Sequence, residues 1–155
     1  MRSLEKLSTQ LKVSETPGLE VFDERFGAIG DHAQARRFGQ ASVIFEELVD
    51  DEIYDIRLAV FYFYHCIDSQ QARGVLGCVQ ALNAMLGENM EAWGPASNRD
   101  KVLVKSVTWL WQNVTDLLNY YLDGAESEWT LFESRDEELL DALRVEFLKL
   151  NNQKT

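Results

Sequence analysis

An all-α fold, an irregular bundle of about six to seven helices around a buried central helix, is predicted by three features of the sequence. Apolar residues recur every three or four positions along most of the chain. The only two prolines, Pro17 and Pro95, fall where those patterns break. One stretch, Ile53 to Asp68, is apolar or aromatic almost all the way round, as the enclosed centre of a helical domain is.

In chain order, Pro17-Gly18 reads as a turn and helix start after Ser14-Glu15-Thr16. Leu19, Phe22, Phe26 and Ile29 then come at helical spacing. Gly30 is a candidate C-terminal cap and Asp31 a candidate N-cap for the next helix. Phe38, Ala41, Phe45 and Leu48 mark the inner face of a helix through about Val49, and Asp50-Asp51-Glu52 makes an acidic joint. Ile53–Asp68 is assigned as helix, because the run is long and its surroundings are helical. A strand is the competing assignment, since Val-Phe-Tyr-Phe-Tyr has high β propensity.

Gln71 to Met90 forms the next helix, with Val75, Leu76, Val79, Leu82, Met85 and Leu86 inward. Gly74 and Gly77 weaken it by roughly 1 kcal/mol each relative to Ala. Their expected use is close approach to the buried helix. Trp93-Gly94-Pro95 ends this element and Ser97-Asn98-Arg99-Asp100 starts another. Its stripe is Leu103, Val107, Leu110, Val114, Leu117 and Tyr121, and Gly124 stops it. On this helix Trp111 is expected to pack and Trp109 to lie beside the main stripe. Additional C-terminal helices are expected within 125–150, around Glu126–Phe132 and Asp136–Leu150.

The 155 residues fit one domain, 1–155. Hydrophobic residues make up 46%, and four Trp, five Tyr and eight Phe supply a core without staples. The net charge of −11 disfavours nucleic acid, whose binding needs Lys and Arg to displace counterions, and disfavours anionic membranes. It suits solubility and basic partners alike. Cys66 and Cys78 read as buried free thiols in a reducing compartment. No signal peptide is legible, and the longest apolar stretch, Leu58 to Ile67, is too short to span a bilayer. A cytoplasmic location without membrane insertion is therefore expected.

No reactive constellation emerges. A di-iron bundle needs Glu-x-x-His, and neither His32 nor His65 follows a Glu at that spacing. The carboxylates Asp50, Asp51, Glu52 and Asp55 lack the glycine of a calcium loop; a solvated joint and weak cation binding are the two readings. His65 with Cys66 and Cys78 matches no zinc spacing. There is no Gly-x-Ser-x-Gly elbow and no phosphate loop. The expectation is a non-enzyme with no catalytic residue, metal or cofactor, acting by protein–protein interaction. Trp93, beside a Gly-Pro turn, and Trp129 and Phe132, on a short Glu-rich helix, are the candidate interface residues. The alternative is that they close the ends of the core.

One segment carries more than generic helix. Tyr54-Asp55-Ile56-Arg57-Leu58-Ala59-Val60-Phe61 resembles the signature of the ImpA-type amino-terminal domain of the TssA family of bacterial type VI secretion proteins. The order after it is similar too: the helix with Gly74-Val75-Leu76-Gly77, then Trp93 and Pro95, then Arg99 and Trp109-Leu110. The resemblance covers about residues 38–118. It departs at Glu91-Ala92-Trp93-Gly94-Pro95, which lacks the family's histidine. These residues also hold no counterpart of the long carboxy-terminal region through which such proteins form rings, so ring formation is not carried over. The resemblance implies a scaffold that contacts baseplate, tube or sheath components. It gives Asp55 and Arg57 a structural task, with Asp55 near a helix N-terminus and Arg57 reaching an acidic neighbour. A second hypothesis, from charge and size, is a small acidic inhibitor or immunity protein that binds a basic toxin or enzyme.

Overall fold

The computed structural model describes residues 2–123, with side chains to residue 120, together with 141, 142, 144–146, 148 and 149. Up to residue 123, the α-helices run in order: α1 Ser3–Leu7, α2 Glu24–Gln34, α3 Phe38–Asp50, α4 Ile56–Gln70, α5 Ala72–Leu86 and α6 Arg99–Asp123. A 3-10 turn, Met90–Ala92, lies between α5 and α6, and no strand occurs among the described residues. The fold is an all-α multi-helix bundle.

Helix α4 is its centre. Ile56, Leu58, Ala59, Val60, Tyr62, Phe63, Tyr64, Cys66 and Ile67 are all buried, and Phe61 is half-buried beside them. α3, α5 and α6 pack on different sides of it, and α2 reaches it more lightly. The β-prone side chains of 60–64 are satisfied in a helix because every direction from that helix meets another apolar surface. On α5, a Cβ at Gly74 would collide with the carbonyl of Cys66, so the absent side chain is what allows α5 to close on α4. Gly77 serves a different neighbour, Leu4 of α1.

The beginning of the chain differs from expectation. No helix starts at Pro17; α2 starts at Glu24, and the Asp23 carboxylate caps it by accepting the Arg25 N–H. Gly30 and Asp31 neither close one helix nor open another, since α2 runs through both to Gln34. Ile29 and Ala33 hold its inner face one turn apart, and that face outweighs the local breaker. Phe22, placed on an inner stripe by spacing, is 83% exposed. The extended segment between α1 and α2 is fastened to the bundle by two buried polar side chains. Asn89 accepts the Leu11 N–H at 3.0 Å and donates to the Thr9 carbonyl at 2.7 Å. Asp55 accepts the Leu19 N–H at 2.9 Å.

Along α6, Leu110 is buried against α4, with Leu103, Val114 and Leu117 half-buried beside it. The expectation for its tryptophans is reversed. Trp109 packs against Phe38, Phe61 and Tyr64, with ring centroids 6.1, 4.9 and 6.0 Å away, whereas Trp111 is 70% exposed. Successive residues turn by about 100°, and α4 stands on the side that 109 faces. Gly124 and the expected helix Glu126–Phe132 lie outside the described residues, as does most of Asp136–Leu150. The described positions from 141 onward are helical, and the Asn83 amide donates there to the Glu146 carbonyl and carboxylate at 2.9 and 2.8 Å.

Candidate functional site

Three segments distant in sequence meet at Asp55. As N-cap of α4, its Oδ1 accepts the Arg57 N–H at 3.0 Å, the interaction that the first turn of a helix leaves open for a carboxylate. The Arg57 guanidinium folds back in a two-pronged pair, Nε to Oδ1 at 3.0 Å and Nη2 to Oδ2 at 2.7 Å. The same Nη2 donates to the Leu19 carbonyl at 3.0 Å, and the guanidinium lies over the Phe26 ring, 4.6 Å from its centroid. Asp55 is itself buried, with its side chain wholly shielded. Gly94 completes the junction: it forms a parallel bridge with Asp55, its N–H bonded to the Tyr54 carbonyl and its carbonyl to the Ile56 N–H, each at 2.9 Å. Gly18 fits beneath at φ +94°, a conformation that glycine tolerates and other residues resist. This cluster fastens the chain to itself; neither charge is left free for a ligand.

Trp93 does not serve as an exposed anchor. Its exposure is 0%, and its ring sits 5.8 Å from that of Tyr54. The Gly-Pro turn beside it points inward because Gly94 is drawn against residues 17–18 and 54–56, carrying the indole into the core. Among the described residues its Nε1 has no hydrogen-bond partner. Trp129 and Phe132 lie outside the described residues.

The acidic joint is internally neutralised. Asp50 pairs with Arg2 at 2.8 Å, Asp51 with Arg25 at 3.3 Å and Glu52 with Lys12 at 3.6 Å. These pairs are exposed and individually weak. They nevertheless occupy the carboxylates that the cation-binding reading would need. Among the described residues no group of three or more His, Cys, Asp or Glu is placed to hold a metal ion.

His65 is half-buried on α4, its Nε2 3.4 Å from the Ser69 hydroxyl, and burial pushes its pKa below the usual imidazole value. Cys66 and Cys78 are both buried; the Cys78 thiol donates to the Phe63 carbonyl at 3.4 Å. Burial, reinforced by the adjacent Cys66, pushes the Cys78 thiol well up and keeps it un-ionised.

One surface feature with no evident structural duty among the described residues is the outer strip of α6. Val104, Thr108, Trp111 and Thr115 recur at i, i+4, i+7 and i+11; all are exposed and none is charged. The strip is about 16 Å long at the helical rise. Val104 is 67% exposed, and in a chain of net charge −11 an uncharged strip centred on a tryptophan stands out. Sequence reasoning passes over it because the inner stripe of α6 accounts for most of that helix's apolar residues. The available signal is the i, i+4, i+7 recurrence on a second face.

Compared with protein-family models, curated proteins and solved structures, the chain finds no match.

Proposed function

We propose that the chain is a non-enzymatic scaffold subunit of a type VI secretion apparatus, which binds baseplate, tube or sheath proteins through the outer strip of α6. The observation that carries the protein-binding half of this reading is the exposure of Trp111 on an uncharged face. Apolar area left in water forgoes roughly 25 cal/mol per Å² that burial against a partner would recover, and tryptophan is enriched among residues that dominate interface energies. The secretion half rests on the resemblance of residues 38–118 to the ImpA-type domain. Asp55 and Arg57, the centre of that motif, make the capped and paired helix start that a fold-supporting role requires.

The net charge of −11 favours a second reading, a small acidic inhibitor or immunity protein covering a basic site. The pairing of Asp50, Asp51 and Glu52 within the chain leaves that joint less suited to serve as its binding patch.

Capture of purified baseplate, tube and sheath proteins on the immobilised chain separates the two. A scaffold binds at least one of them, with an affinity nearly insensitive to salt and reduced about tenfold or more by Trp111→Ala. Recovery of a lone basic toxin, with association slowing steeply as salt rises, would replace the first reading by the second.

A further inference from the structure

Beside the Asp55–Arg57 junction a groove of about 320 Å³ runs between α4 and α6, lined by Arg57, Val60, Phe61, Val102, Lys105 and Trp109, with Ser106 at its side. The lining positions repeat at i, i+3, i+4 on α4 and at i, i+3, i+4, i+7 on α6, so two helix faces form its walls. Its lining is aromatic in part: Phe61 and Trp109 meet edge to face, centroids 4.9 Å apart and planes at 87°.

The charge at the rim is opposite to that of the molecule. Lys105 is exposed at the groove and Lys101 is exposed one turn before it. Among the described residues neither lysine makes an ion pair. Arg57 is committed to Asp55, so that pair is neutral; Asp100 is exposed beside Lys101, but with Arg99 and Lys105 the start of α6 still carries more positive than negative charge. Many other cations in the described bundle are spoken for: Arg2 by Asp50, Lys12 by Glu52, and Arg25 by Asp23 and Asp51. Screening within about 8 Å at physiological salt lets these nearby lysines outweigh more distant carboxylates.

We infer that the groove docks a short acidic amphipathic helix from a partner protein, an aliphatic or aromatic side chain seated on Phe61 and Trp109 and flanking carboxylates meeting Lys101 and Lys105. A helix laid in a groove uses apolar anchors one turn apart, the spacing both walls present. The inference rests on the protein-binding reading and adds a second surface to the α6 strip, with a partner of defined charge.

The test uses the full chain and two labelled synthetic helix-forming peptides, both with Leu and Phe one turn apart, one flanked by Glu and the other by Lys. Fluorescence anisotropy is expected to show the acidic peptide binding at least about tenfold more tightly. Lys105→Glu, at an exposed position, abolishes most of that preference while helical content is unchanged, and Trp111→Ala leaves it intact. Equal binding of both peptides, no binding of either, or indifference to Lys105→Glu overturns the inference. So does a concentration-dependent dimer that Lys105→Glu dissolves, since the occupant is then a second copy. Capture of secretion proteins equally by wild type and Lys105→Glu, alongside a failed peptide assay, removes the groove and leaves the scaffold reading standing.

Discussion

The Asp55 carboxylate accepts the backbone N–H of Leu19 at 2.9 Å while the Arg57 it pairs with donates to the Leu19 carbonyl at 3.0 Å. One residue of an extended segment is thus held on both its polar groups by a single ion pair. The pair costs desolvation to bury, but it satisfies a helix start and a loop together. Removing Asp55 leaves Arg57 without its counter-charge and Leu19 without its acceptor. Asp55→Ala is therefore expected to lower unfolding free energy by about 3 kcal/mol, toward the low end for a broken buried pair because Arg57 keeps some water. Denaturant unfolding measures it, and a loss below about 1 kcal/mol would mean the junction carries little.

Glycines at two positions should respond in opposite directions. A Cβ at Gly94 would meet the Pro17 carbonyl and the Gly18 nitrogen, both backbone, so no rotamer change relieves it. Gly94→Ala is expected to destabilise by about 2 kcal/mol or more. Gly27 lies exposed within α2, and a methyl group added there would have nothing within 4 Å, so Gly27→Ala should stabilise by about 0.5–1 kcal/mol. Thermal melts of the two variants move apart if the packing at residues 17–18 is this close; a Gly94→Ala melt unchanged from wild type contradicts it.

The helices from α3 to α6 were legible because each has an inner stripe that local spacing reveals: Phe38, Ala41, Phe45 and Leu48 on α3, or Leu103, Leu110, Val114 and Leu117 on α6. The central place of α4 was legible for the complementary reason, since its apolar residues run nearly all the way round the helix and almost all of them are buried. What failed were features decided by meetings between distant segments. Leu19, Phe22 and Phe26 have helical spacing, yet Leu19 is held extended by Asp55, a partner that no local window contains. Trp93 has a surface-like turn beside it and is buried because residues 17–18 and 54–56 close over that turn. Trp109 and Trp111 are two positions apart, and only the side on which α4 stands decides which one packs.

Stability should fall on mild acidification through His65. Burial, the largest influence, disfavours its charged form, and Asp68 opposes that shift. The N-terminal amine disfavours the charged form further and Glu46 favours it, both more weakly. With its folded pKa below the ordinary value of 6.5, the unfolded chain takes up the proton first as pH drops. The contribution is complete above that ordinary value and declines as pH falls from it through the depressed folded value. Urea midpoints at about pH 7.5 and 5.5 should therefore drop further for wild type than for His65→Gln. Equal drops in the two proteins would show that the imidazole is not the group responsible.

Cys66 and Cys78 should resist modification in the folded protein. Both are buried, and the raised Cys78 pKa removes the thiolate that attacks disulfide reagents. Titration with an aromatic disulfide should show both thiols silent under native conditions and both reactive in denaturant. Prompt labelling of either thiol in the native state would place that cysteine nearer water than its packing allows.

The two tryptophans Trp93 and Trp111 separate folding from binding. Trp93, fully enclosed beside Tyr54, fills volume that neighbours cannot reclaim, so Trp93→Ala should cost about 3–5 kcal/mol. Trp93→Phe should cost less than a full truncation. It deletes an indole N–H that has no partner among the described residues, which offsets part of the lost packing. Trp111 is 70% exposed and supports no neighbour in the core, so Trp111→Ala should change stability by no more than about 0.5 kcal/mol. If the α6 strip is the contact surface, that same substitution weakens partner capture about tenfold, giving a variant that folds like wild type and binds poorly. A Trp111→Ala protein that unfolds early would instead assign the residue to the bundle, and the binding surface would have to be sought elsewhere.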